Sequence, residues 1–236
     1  MRLARATGLV LFALAACRDG GAGSGPPPAP SSDPPAASTT PPPRKTNGFR
    51  TTDGGLALRN LDAQIKTAER AADARPQDVD THDKLIRLLL DRGSFLGRYA
   101  DLEHALKRAE TLVKTAPDRP DAYRARAAAR SALHLFKDAL ADLDRAQTLG
   151  AKPADLDPAR AAALTALGRL DDALPLRIRA REARSTIVTL GAEAALLGEM
   201  GRLDEAEQRF TQALEAYRDV SPFPVAWLAL ERGLMW

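Results

Sequence analysis

An all-α chain of repeated antiparallel helix pairs is predicted beyond residue 49 by three observations. Alanine recurs in one register at Ala105, Ala139, Ala173 and Ala206, spaced by 34, 34 and 33 residues. Two more series keep step with it: Ala127, Ala161 and Ala194 lie 12 residues upstream, and Ala146, Ala180 and Ala213 lie seven downstream. Gly168-Arg169-Leu170 and Gly201-Arg202-Leu203 mark the turn between two halves, with His134-Leu135-Phe136 in the equivalent place. A fixed period of this length is the signature of stacked units that share a core. Small residues let helices cross closely while larger neighbours fill the grooves. The alternative, an alanine- and leucine-rich bundle without repeats, gives no reason for four segments to share one register.

The elements follow in order. An unpaired helix is expected over 57–74. Helix pairs are expected over 78–92 with 101–115, 119–134 with 136–148, 156–167 with 170–184, and 187–200 with 203–217. Asp118 and Pro120 read as the start of the second pair. Asp157-Pro158 reads as the start of the third, a cap followed by proline at the first helical position, where its missing N–H costs nothing. Asp171-Asp172 and Asp204-Glu205 sit at second-helix starts, where carboxylates favour the helix dipole. A last helix begins near Pro224.

These segments, "LFKDALADLDRAQ", "RLDDALPLRIRAR" and "RLDEAEQRFTQAL", resemble the tetratricopeptide repeat family over roughly residues 58–236. Tyr123 takes the aromatic position that opens a repeat, and Leu143 and Phe210 the large apolar position of the second helix. The resemblance implies a right-handed α-solenoid, with about four helix pairs, a leading helix and an incomplete last repeat over 49–236. The first repeat departs from it by about seven extra residues in its turn, Ser94 to Ala100. The third and fourth lack a closing proline, and Pro175 falls early in a second helix.

The start of the chain reads as an address. Arg2 and Arg5 precede an apolar run of ten residues, Thr7 to Ala16, too short to span a bilayer and suited to a secretory signal. It ends in Leu14-Ala15-Ala16-Cys17, which resembles the lipobox of bacterial lipoproteins. That resemblance implies cleavage after residue 16, a lipid such as palmitate on Cys17, and, because Arg18 follows, sorting to the outer membrane facing the periplasm. The other reading is a plain signal peptide or a buried thiol. Cys17 is the chain's one cysteine, which excludes an internal disulfide framework. Residues 17–48 then form a linker holding nine of the 17 prolines, expected to stay disordered. Fully extended it reaches on the order of 90 Å.

Chemistry is not visible. Aromatics are 5% of the chain, charged residues 28% and the net charge +3. The 27 arginines against seven lysines, with heavy alanine use, suggest a GC-rich genome rather than a nucleic-acid partner. His82, His104 and His134 lack metal-ligand spacing, and no phosphate loop, nucleophile elbow or cofactor motif appears. Arg177, Arg179, Arg181 and Arg184 spread around a helix; they read as a solvated face, or as contacts to an anionic surface such as phospholipid. No catalytic residue, cofactor or small-molecule substrate is expected.

Function therefore rests on shape. The resemblance implies that first helices line a concave groove, supplied by Asp83 and Arg87, then Asp121, Arg124, Ala128 and Ser131, then Ala162 and Thr165, then Ala195 and Glu199. The small floor admits a helix or extended peptide near the backbone, or else serves tight stacking alone. Charges concentrate toward the first two repeats, where they would orient a partner. The expected function is a non-catalytic, lipid-anchored envelope scaffold that binds a protein partner and assembles complexes. The alternative is an accessory module that recruits or positions an envelope enzyme, such as one acting on the cell wall. The C-terminal "PFPVAWLALERGLMW" is apolar over most of a helix's circumference, which expects burial on two faces. Either a further segment, a partner or a second copy covers it.

Overall fold

Ten helices run through residues 51–236, the part of the chain that the computed structural model describes. They are α1 (Gly54–Ala74), α2 (Val79–Leu96), α3 (Tyr99–Thr115), α4 (Pro120–Ala132), α5 (Phe136–Thr148), α6 (Pro153–Ala166), α7 (Leu170–Ala183), α8 (Ile187–Glu199), α9 (Leu203–Ala216) and α10 (Pro222–Met235). Short connections turn each helix back on the last. The pairs α2/α3, α4/α5, α6/α7 and α8/α9 pack most intimately, and each then stacks on the next. The architecture is an all-α, right-handed solenoid of antiparallel pairs, led by α1 and followed by α10. The lipobox, Cys17 and the proline-rich linker lie outside the described residues.

The alanine register marks the places where helices cross. Ala105, Ala139, Ala173 and Ala206 are completely buried, and so are Ala161, Ala194, Ala146 and Ala213. Leu143 and Phe210 fill the space beside them and are also buried. The turns follow the same register. Gly168 and Gly201 adopt left-handed φ of 74° and 76°, and His134 takes the same position at φ 61°. A side chain there costs roughly 1–2 kcal/mol, so the second repeat tolerates a strain that the third and fourth avoid.

Three expectations need correction. The extra residues of the first repeat do not form a loop: α2 continues through Ser94, Phe95 and Leu96 and stops at Gly97, whose φ of 63° ends it. The third pair starts a turn early, with Pro153 in the first turn of α6 and Pro158 inside the helix. Asp157 is therefore no cap; it is buried and accepts hydrogen bonds from Arg179 at 2.8 and 3.1 Å. The arginines of α7 are not a free basic face either. Arg179 holds Asp157, and Arg181 donates to Glu193 at 2.6 Å.

Those bonds belong to a pattern present in every pair. Asp101 of α3 is gripped by the Arg92 fork of α2 at 2.7 and 2.8 Å, while Arg92 also reaches Asp62 of α1 at 2.8 Å. Asp142 of α5, 3% exposed, accepts from Arg126 at 2.6 and 2.9 Å and from Arg130 at 2.7 Å, both on α4. Glu193 of α8 accepts from Arg181 of α7 and, at 3.0 Å, from Arg209 of α9. A buried carboxylate is tolerable only with such partners. These contacts fix the guanidinium planes, and the carboxylates hold Arg92 and Arg126 firmly protonated.

The register carries a stability test. Ala139→Arg forces a charged chain into a crossing with no free space and is expected to cost several kcal/mol. Lys137→Ala, an exposed neighbour, is expected to be within about 0.5 kcal/mol of the parent. Equal melting temperatures for the two variants would contradict the assignment.

Candidate functional site

The candidate groove residues all lie on the first helices α2, α4, α6 and α8. Their accessibility differs from expectation. Ala128 and Ala162 are buried by neighbouring helices and serve packing. Ser131, Thr165 and Ala195 are half-buried, and Glu199 is exposed. The Thr165 hydroxyl turns back to the Ala161 carbonyl at 2.9 Å.

The two arginines that were to orient a partner are already occupied. Arg87 pairs with Asp83 one turn away, and Arg124 donates to Asp121 at 2.8 Å. Beyond those pairs the first helices carry charge of both signs: exposed Asp80 and Lys84 with half-buried Asp91 on α2, Asp155 on α6 and Glu199 on α8. Burial pushes the Asp91 carboxyl up to about 6, against the pull of Arg87. A desolvated carboxylate of that kind gains from an incoming cation.

Helix α10 packs against α8. Gly191 and Gly198 of α8 leave the space that α10 uses. A Cβ on Gly191 would stand 2.5 Å from Leu228 Cδ1 and 2.8 Å from the Trp227 ring, and one on Gly198 would stand 3.2 Å from Met235 Cγ. Trp227 and Leu228 are buried there. At its other end α10 reaches the start of the array: Phe223 stacks on Phe95 with ring centroids 4.3 Å apart and planes 7° from parallel. The Thr52 N–H donates to the Val220 carbonyl at 2.7 Å. The unexpected extra turn of α2 thus carries the ring that meets α10.

A charged cluster sits where α7, α8 and α10 converge. Arg177, half-buried, donates to the Pro158 carbonyl at 3.4 Å, and its Nε has no hydrogen-bond partner. Burial brings its guanidinium down to about 10, opposed by Glu199 and Glu231. Burial also pushes Glu231 up to about 7, opposed by the Trp227 indole N–H at 3.1 Å, with repulsion from Glu199 added and attraction from Arg177 subtracted. Glu199 shifts upward by burial too, against Arg177; as a residue it stays exposed, so Glu231 carries most of the effect. Arg232 faces the other way and grips Glu207 of α9, one of its bonds measuring 2.9 Å. Sequence reasoning missed Glu231 and Arg177 as a pair, although both interrupt otherwise apolar or mixed surfaces.

The histidines stay apart. His82 is buried with neither ring nitrogen hydrogen-bonded, His104 accepts from Arg108 at 3.4 Å, and His134 occupies a turn. Among the described residues no group of three or more His, Cys, Asp or Glu could hold a metal ion, and no helix is long and apolar enough to cross a membrane.

This geometry has solved counterparts. TTC0263, a thermophilic TPR protein in Thermus thermophilus, superimposes with a TM-score of 0.59 at 27% identity, covering 76% of this chain and 92% of that one. The chain has the tetratricopeptide-repeat solenoid fold. YrrB, a TPR protein with an unusual peptide-binding site, matches at a TM-score of 0.44 and 20% identity, over 72% of this chain and 82% of its own. Yeast Tom70 matches at 0.48 and 17%, over 76% of this chain and 38% of its own. No family model and no curated protein matches the sequence.

The cluster under α10 makes the solenoid pH-sensitive. Glu231 keeps its proton in the folded chain up to about 7, while an unfolded glutamate releases it near about 4.3. The folded state therefore binds more protons through that window, and stability falls as pH rises across it. Glu231→Gln, which keeps the shape without the charge, is expected to raise the melting temperature at about pH 8 and change it little at about pH 4. An unchanged slope of melting temperature against pH would contradict this assignment.

Proposed function

We propose that this chain is a non-catalytic, lipid-anchored scaffold of the bacterial cell envelope. A lipid on Cys17 holds it at the outer membrane, facing the periplasm, and the linker over 17–48 spaces the solenoid from the bilayer. The groove takes a protein or peptide partner that presents a basic segment, and complex assembly follows from holding that partner near the membrane. The observation that carries this reading is the charge of the first helices. Their arginines Arg87 and Arg124 are tied to Asp83 and Asp121, while Asp91 is desolvated with its carboxyl raised to about 6. A lysine or arginine entering beside Asp91 gains a charge-assisted hydrogen bond whose attraction offsets the cost of that desolvation.

The test is site-specific photo-crosslinking in cells from the two half-buried polar positions of the groove, Ser131 and Thr165, with exposed Lys137 as control. Groove positions are expected to trap one protein, and Asp91→Lys is expected to reduce that product several-fold. The parent is expected to take up a palmitate analogue, and Cys17→Ser to lose it. Equal trapping from Lys137, or trapping indifferent to Asp91→Lys, would place the partner elsewhere. Labelling retained by Cys17→Ser would remove the anchor.

A further inference from the structure

The first described residues enter the fold beside its last helix. The Thr52 N–H donates to the Val220 carbonyl at 2.7 Å, so the chain upstream of residue 51 starts next to the N-terminal end of α10. A hollow of about 350 Å³ opens there, where α10 meets the ends of α1 and α2. Its walls include Gly54, Phe95, Leu96, Phe223, Trp227 and Leu230, and no charged side chain lines it. Leu96 and Leu230 are 41% and 48% exposed. Apolar walls of this kind are unfavourable to leave to water, and the space exceeds the roughly 150 Å³ in which a protein cavity holds a benzene ring.

We propose that Phe49, carried on residues 44–50 just outside the described part of the chain, fills this hollow and straps the start of the solenoid to α10. Composition selects it first: between Cys17 and Leu56, Phe49 is the one large apolar side chain. Reach selects it next. Phe49 precedes Thr52 by three residues and so lies within about 11 Å of it, while Gly54, two residues beyond Thr52, already forms part of the wall. Charge agrees. The segment brings Arg44, Lys45 and Arg50, and exposed Asp53 and Asp219 flank the bond between Thr52 and Val220. Asn47-Gly48, directly before the ring, is a turn dipeptide that lets the backbone leave the hollow for solvent once the ring is seated.

Area argues for an occupant from the same chain. The hollow takes one side chain, far less than the roughly 800 Å² per partner that a standard interface between separate molecules buries. A ring on a tether this short has an effective concentration in the mM range, so a small contact suffices for it and a free competitor is at a disadvantage. Seated there, Phe49 joins Phe95, Phe223 and Trp227 as a fourth aromatic, the first two already stacked at 4.3 Å. The extra turn of α2 then has a second use, since Phe95 and Leu96 supply one wall. The strap depends neither on the lipid nor on a groove partner.

The experiment places the photo-reactive residue p-benzoylphenylalanine at position 49 of the full chain in cells, with positions 38 and 42 of the same tether as controls, and maps the products by peptide mass spectrometry. Position 49 is expected to give a product of monomer size joined to the end of α2 or to α10, and positions 38 and 42 to give none there. Independently, Trp236→Phe leaves Trp227 as the lone tryptophan of the purified full chain. In that background Phe49→Ser is expected to raise acrylamide quenching of Trp227 severalfold with unchanged circular dichroism, and Phe49→Leu to fall between. No product from position 49, a product of dimer size or one joined elsewhere, an equal yield from position 42, or quenching indifferent to Phe49→Ser would each overturn the proposal.

Discussion

A carboxylate buried in every helix pair, held by the guanidinium of a neighbouring helix, is the constraint on which this solenoid depends. Alanine crossings bring helices close, but each buries only a methyl group, and apolar burial yields roughly 25 cal/mol per Å². Close approach alone therefore discriminates weakly between one helix rotation and the next. Asp101, Asp142, Asp157 and Glu193 discriminate strongly. A rotated helix leaves a carboxylate buried without its partner, at a cost of about 3–5 kcal/mol. Arg92 joins α1, α2 and α3 in this way, and Glu193 joins α7, α8 and α9. The planar fork of arginine, which lysine lacks, is a structural reason for the 27 arginines against seven lysines.

The same economy shapes the concave side. Small residues of the first helices are consumed by packing, Ala128 and Ala162 in stacking and Gly191 against Trp227 and Leu228. What remains exposed is polar and of both signs, from Asp80 and Lys84 to Glu199. On the first helices Ser131, Thr165 and Ala195 stay half-buried. Helix α10 carries Glu231, whose carboxyl burial pushes up to about 7.

Much of this was legible in the sequence because it is periodic. Three alanine series at one spacing located the crossings, and the glycine turns located the helix ends to within a few residues. The clamps were not legible: carboxylate and arginine stand 9, 12, 16 or 22 residues apart, and where a spacing recurs it means different things, 12 joining one pair at Asp142 but two pairs at Glu193, and 16 reversing the order of arginine and carboxylate. Asp157 was misread because proline follows it, a local pattern that packing overrides. The extra turn of α2 looked like an insertion in a loop, and its purpose shows only once Phe95 meets Phe223 from the far end of the chain. Of the candidate groove residues, Arg87 and Arg124 each carry a carboxylate partner within one turn, a spacing that the sequence does display.

The most direct measurement is the stability of the second pair with its clamp dismantled in two steps. Replacing Arg126 and Arg130 together by alanine leaves Asp142 buried and unpaired and is expected to cost about 3–5 kcal/mol. Adding Asp142→Ala to that variant is expected to restore a substantial part of the loss, because the buried charge goes with it. A double arginine variant within about 1 kcal/mol of the parent, or no recovery on removing Asp142, would contradict the account.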